Sequence, residues 1–196
     1  MVKNNEIISF LQEEKKCTEQ IIAKHLEIKK IIDILVKARD KGKTIYTIGN
    51  GGSGSTASHF VSDLLKTSIV KEKKRFKAVS LVDNIPVVLA WSNDVSYDEI
   101  FEQQLKNYLS NGDILIAFSG SGNSKNLLKA LKYASNFNVD CIGFSGKTGG
   151  KMKNFCKICF KIPSNDMLLI ESQHVMICHC IISSIRNQGT PLFKYE

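Results

Sequence analysis

The sequence predicts a three-layer α/β fold: a doubly wound, five-stranded parallel sheet with helices on both faces and two further helices ahead of it. Three observations predict it. Short runs rich in Ile, Val, Phe and Leu alternate with stretches of helical periodicity, the pattern of strand–helix–strand units. Two of those runs end in glycines and hydroxyl residues that open a helical pattern, which is where open parallel sheets hold their ligands. A chain of 196 residues, 43% hydrophobic, with three prolines and no low-complexity tract, suits one domain over 1–196 with a full core and no linker.

The elements follow in order. Within residues 5–41, Ile7, Ile8, Phe10 and Leu11, then Ile21, Ile22 and Leu26, then Ile31, Ile32, Ile34 and Leu35 recur at helical spacing. They give two helices, so 1–41 is a helical lead and 42–196 the α/β core with its last helix. Lys41-Gly42-Lys43 turns into the first strand, 44–48, and Asn111-Gly112-Asp113 into the third, 114–118. The remaining strands are 78–82, 140–144 and 157–162. Helices at 54–67, 97–109, 124–137 and, briefly, 147–154 separate them, and a long one closes the chain at about 166–187.

Composition bounds the function. The longest apolar stretches are too short to span a bilayer, and Met1-Val2-Lys3-Asn4-Asn5-Glu6 lacks the apolar core of a signal peptide. A cytoplasmic location with no membrane partner is expected, and the six cysteines are expected to stay reduced. The net charge of +8 raises nucleic acid as a partner. Its densest run, Lys71-Glu72-Lys73-Lys74-Arg75-Phe76-Lys77, comes with no recognition-helix or stacking-aromatic pattern. It reads as a solvated loop, and no nucleic acid is expected. Excess positive charge also raises the encounter rate of dianionic sugar phosphates.

The chemistry concentrates in the two loops. Ile45–Ile48 leads into Gly49-Asn50-Gly51-Gly52-Ser53-Gly54-Ser55-Thr56, and Ile114–Phe118 into Ser119-Gly120-Ser121-Gly122-Asn123-Ser124. Glycines let the backbone approach an anion, helix-start N–H groups point at it, and the helix dipole favours negative charge. Neither loop matches the Walker spacing. His59 and Asp63, four apart on the helix that the first loop opens, share a face and suit a divalent ion such as zinc.

The last helix carries Glu171, His174 and His179 among apolar residues, where ionisable groups must be paired or neutral. In a regular helix Glu171 and His179 stand about 12 Å apart along the axis and roughly 80° apart around it, so joint ligation by both needs a frayed start or a distortion. Cys156 and Cys159 form C-x-x-C within a strand pattern, whose periodicity puts positions three apart on opposite faces and spoils joint chelation. Cys178 and Cys180 read as packing.

Gly49-Asn50-Gly51-Gly52-Ser53, His59-Phe60, Asn93-Asp94 and Ser119-Gly120-Ser121-Gly122-Asn123-Ser124, in that order, resemble the phosphoheptose isomerases of the sugar-isomerase (SIS) superfamily. Gly146-Lys147-Thr148-Gly149-Gly150-Lys151-Met152 and Ile162-Pro163 extend the resemblance over nearly the whole chain. It implies conversion of sedoheptulose 7-phosphate into D-glycero-D-manno-heptose 7-phosphate for bacterial lipopolysaccharide or capsule. It also implies a homotetramer with one zinc per subunit, in sites shared between subunits. Carried over residue by residue, the zinc ligands are His59, Asp63, Glu171 and His179, and proton transfer falls to Asp63 and His179. The phosphate and sugar contacts are Asn50, Gly51, Gly52, Ser53, Asn93, Asp94, Ser119, Gly120, Ser121 and Ser124, with Asp63 and Glu171.

The chain departs from the family pattern at three of these positions and at one beside them. Asp63 replaces a glutamate, Glu171 a glutamine and Gly120 a threonine, and Thr67, with Lys66 beside it, stands where the family has a basic residue. The rival reading is a non-catalytic SIS-fold protein that binds sugar phosphates or a replication initiator. Ionisable types retained at all four metal positions favour the enzyme.

Overall fold

A computed structural model describes residues 4–193. Its elements are α1 (Asn4–Ile22), α2 (His25–Asp40), β1 (Thr44–Gly49), α3 (Gly51–Ser62), β2 (Lys77–Ser80), α4 (Ile85–Asp94), α5 (Glu102–Tyr108), β3 (Ile114–Ser119), α6 (Lys125–Ser135), β4 (Asp140–Ser145), β5 (Ile158–Lys161) and α7 (Met167–Arg186). All strand pairs are parallel, in the order β2-β1-β3-β4-β5. The direction of winding reverses between β1 and β3. Outside the carboxyl ends of such a pair lies the crevice where doubly wound sheets bind ligands, and both small-polar loops follow these two strands.

Strand alternation builds the three layers. Ile114, Ile116 and Phe118 of β3 face a layer made by α2, α3 and α7, while Leu115 and Ala117 face one made by α5 and α6. Every residue of β3 is buried, as a strand covered on both faces requires. α7 is long and apolar enough to cross a membrane by length and composition, yet Ile177, Cys178 and Ile181 are fully buried in the core.

Several expectations need correction. The sequence reading has no helix at 85–94, where α4 stands. The helix expected at 97–109 is a 3-10 turn (Tyr97–Glu99) followed by α5. The one expected at 147–154 shrinks to a 3-10 turn at Met152–Asn154, because Gly149 and Gly150, at φ 73° and 51°, cannot continue a right-handed helix. In the basic run, Lys74 Nζ donates to the Asp40 carbonyl oxygen at 2.8 Å and Phe76 is buried beneath the Arg39 guanidinium, which ties the loop to the end of α2.

His174 is fully buried between Phe118 and Phe144. The Ser145 backbone faces its ring, but neither ring nitrogen reaches a hydrogen-bond partner. Burial lowers its pKa from 6.5 to about 4. The unfolded chain therefore takes up a proton that the folded chain refuses, so stability held above pH 6.5 is lost as pH falls towards 4. Melting temperatures measured across that window should drop more steeply for the wild type than for His174→Leu. Parallel curves would remove His174 from the acid response.

Candidate active site

The two loops enclose a cleft of about 270 Å³ lined by Asn50, Gly51, Gly52, Ser53, Ser119, Gly120, Ser121, Ser124 and Glu171, with Met167 at its edge. Nine of the expected substrate contacts thus come together. The starts of α3 and α6 face this cleft, and neither Asn50 nor Ser124 caps its own helix with its side chain. By contrast, the Asp166 carboxylate caps α7, accepting from the N–H groups of Leu168 and Leu169. The free N–H groups of α3 and α6 are therefore available to an anion.

The loops are locked to each other and braced from behind. Asn50 and Asn126 exchange side-chain amide hydrogen bonds at 2.8 and 3.0 Å, and Tyr97 Oη donates to Asn50 Oδ1 at 3.0 Å. Ser119 Oγ accepts from the Gly122 N–H and Ser121 Oγ from the Asn123 N–H, both at 3.1 Å. Behind them the 146–152 loop docks: Gly146 N–H donates to the Gly120 carbonyl and Met152 N–H to the Gly122 carbonyl, each at 2.9 Å. Lys151 N–H donates to Asn123 Oδ1 at 3.0 Å. The sequence reading assigns no role to Asn126, Tyr97 or this bracing loop. Only the family likeness of 146–152 marks that loop in the sequence.

Gly150 is the tightest point of the brace. It has a positive φ, and a Cβ there would run into the carbonyl oxygens of Ser121 and Gly122. Gly150→Ala should therefore lower thermal stability by roughly 1–2 kcal/mol and weaken sugar-phosphate binding about tenfold, read by calorimetry. Unchanged binding would mean that the 146–152 loop does not position Ser121.

Three further predicted residues meet two turns along α3. His59 Nε2 lies 2.8 Å from His179 Nε2, and Asp63 Oδ2 lies 3.5 Å from the first and 3.7 Å from the second. Packing of α3 on α7 brings His179 there across a sequence separation of 120. After Ser62 the helix widens into one π turn (Asp63–Thr67), closed by Ser68 N–H to the Asp63 carbonyl at 2.9 Å. Within that turn Thr67 Oγ1 donates to Asp63 Oδ1 at 2.8 Å, leaving Oδ2 to face the histidines. A wide turn of this kind often marks a functional position. Both imidazoles are about half exposed, at 47% and 56%, while Asp63 is largely covered at 13%.

This donor set fits a metal ion. Two imidazole nitrogens and a carboxylate oxygen lie within 4.8 Å of one another. A tetrahedral zinc with bonds of about 2.0–2.1 Å holds its donors roughly 3.4 Å apart, and the three distances bracket that spacing. The open side leaves room for a further ligand.

Glu171, expected among the metal ligands, is not in this cluster. Its carboxylate lies over Gly52, where any side chain would collide with it, and 3.5 Å from Ser53 Oγ. α7 is an unbroken helix from Met167 to Arg186, so Glu171 and His179 stay roughly 12 Å apart. Asn93 and Asp94, at the exposed end of α4, hydrogen-bond to each other and line no part of the cleft.

The cysteines also need a correction. Cys156 precedes β5 rather than lying in it, so its sulfur and that of Cys159 both face Gly143. Burial raises both thiols, and Cys141 to about 12, which keeps them protonated and unreactive. All six cysteines are free, and Cys180, unlike the buried Cys178, is exposed rather than packed.

Comparison with known proteins agrees with this geometry. The SIS domain family matches residues 9–146. The phosphoheptose isomerase of Aliarcobacter butzleri is 34% identical over 188 residues, 95% of this chain and 98% of that one. That of Clostridium acetobutylicum is 34% identical over 162 residues, 83% and 82% of the two chains. The solved structure of a phosphoheptose isomerase from Francisella tularensis superposes with a TM-score of 0.89 at 26% identity, covering 96% of this chain and all of that one. With two phosphate-type loops at the switch point and a histidine–aspartate cluster beside them, the chain belongs to the phosphoheptose isomerase family of SIS-domain proteins.

Proposed function

We propose that the protein is an aldose–ketose isomerase that converts D-sedoheptulose 7-phosphate into D-glycero-D-manno-heptose 7-phosphate in the cytoplasm, supplying heptose for a bacterial surface polymer. One observation carries the reading. The phosphate cleft and the His59–Asp63–His179 cluster are both built and both open to solvent, yet they stand two turns apart in one chain. The cleft of one copy, with its Glu171, completes its site against the histidine–aspartate cluster of another. Exposed apolar side chains at the start of α7 beside the cleft, Met167 at 47% and Leu168 at 66%, supply a surface for that contact, and a homotetramer is the assembly the family resemblance implies. Asn93 and Asp94 serve a neighbouring copy's cleft in the same way.

The phosphate sits on the free N–H groups of α3 and α6 and on the hydroxyls of Ser119, Ser121 and Ser124. Isomerisation takes a proton from C1 of the ketose and returns one to C2, while a hydroxyl proton passes from O1 to O2, through a cis-enediol. Asp63 and His179 offer the carboxylate and imidazole for these transfers. His59, Asp63, His179 and Glu171 of a second copy would hold zinc, which when bound polarises the carbonyl and steadies the enediolate oxygens.

Metal analysis of purified protein, light scattering, and NMR of sedoheptulose 7-phosphate incubated with it test the reading together. The expected result is about one zinc per chain, a tetramer mass and appearance of the aldose. Failure to convert the ketose with zinc supplied would leave a sugar-phosphate-binding protein instead.

A further inference from the structure

A second cavity lies at the other end of the sheet. Its walls come from the end of α2, the turns into β1 and β3, and the starts of β4 and β5, so it opens beside the amino ends of the strands. At about 510 Å³ it is larger than the phosphate cleft and of the size that holds small ligands. Four lysines line it, Lys37, Lys41, Lys43 and Lys157, against the single carboxylate of Asp140.

That carboxylate is already matched, since Lys157 Nζ reaches both its oxygens at 2.8 Å. Lys43 Nζ donates to the Asn111 carbonyl. Lys37 and Lys41 make no ion pair or side-chain hydrogen bond among the described residues. Lys74, bonded to the Asp40 carbonyl, brings a further cation to the same end of the molecule. Cations at the last turn of α2 are favoured by its dipole, which accounts for Lys37 and Lys41. It does not account for Lys43, which lies past the helix end, or for Lys157, which arrives from the start of β5. Like charges gathered around one concavity repel unless a counter-charge enters it.

We propose that this cavity binds a small polyphosphate, either free pyrophosphate or the phosphate tail of a nucleotide, at a site separate from the catalytic cleft. With Asp140 answering Lys157, three lysine charges remain; a single phosphate dianion falls short of them, whereas a di- or triphosphate matches them and spans the cavity with several charge-assisted contacts. Ile34, Ala38 and Ile114 line the apolar side of the same cavity.

Calorimetric titration of the full-length protein with pyrophosphate and with ADP tests the proposal. Saturable binding is expected, weaker at higher salt, and reduced at least tenfold in Lys37→Ala/Lys41→Ala and in the milder Lys37→Gln/Lys41→Gln. Both lysines are exposed, so the variants should keep the wild-type circular dichroism and sugar-phosphate affinity. Tighter binding of ADP would assign the nucleotide as the source, and equal binding the inorganic anion. The proposal is overturned by absence of saturable binding, by undiminished affinity in folded double variants, or by displacement of the anion with sugar phosphate. It stands independently of the isomerase reading.

Discussion

Asp63→Asn should lower kcat by about three orders of magnitude, since acid–base groups contribute roughly 10²–10⁴-fold and the metal is weakened with them. The substitution is isosteric, and an asparagine Oδ1 still accepts from Thr67 Oγ1, so the π turn and the packing of α3 on α7 persist. Bound zinc should fall while the circular dichroism spectrum and melting temperature stay near wild type. The change removes the one carboxylate that faces both imidazoles, and with it the partner that makes this pair a cation site rather than two exposed histidines. Turnover near the wild-type level in a folded Asp63→Asn protein would strip Asp63 of both its proposed roles.

Ser119→Ala with Ser121→Ala should raise KM for the sugar phosphate by roughly two to four orders of magnitude. Each hydroxyl lost from a charged ligand costs about 1.5–3 kcal/mol, and both also brace the loop by accepting from Gly122 and Asn123. Because the reacting carbons lie at the other end of the substrate, kcat should change far less than KM. A double variant with unchanged KM would place the phosphate elsewhere.

How much of this is legible in the sequence depends on which forces shape each part. The core strands are buried on both faces, so they read as continuous apolar runs whatever their neighbours. α4 is not legible because its apolar residues run on most sides rather than along one stripe, and only partly buried Val88 and Trp91 meet the core. Its proline also reads as a breaker, although at a first turn it is compatible with a helix. His59 and Asp63 are legible as an i,i+4 pair. That His179 joins them depends on how α7 lies on α3, which local periodicity does not encode and only the family resemblance anticipates. The same resemblance groups Glu171 with them, where the regular α7 keeps it apart within one chain. The bracing by Asn126 and by the 146–152 loop is contact between distant segments, with backbone groups as the main partners.

The two turns of α7 between Glu171 and His179 carry a consequence for genetics as well as for chemistry. If each working centre draws its cleft from one copy and its histidine–aspartate cluster from another, then damage to Asp63 and damage to Glu171 fall on different partners. Chains carrying Asp63→Asn and chains carrying Glu171→Gln, each inactive alone, would complement one another when co-assembled, because some junctions then combine two undamaged halves. For the same reason simple dilution would silence the intact protein, and an allele defective at only one of the two residues would cost centres in proportion to its share of the chains.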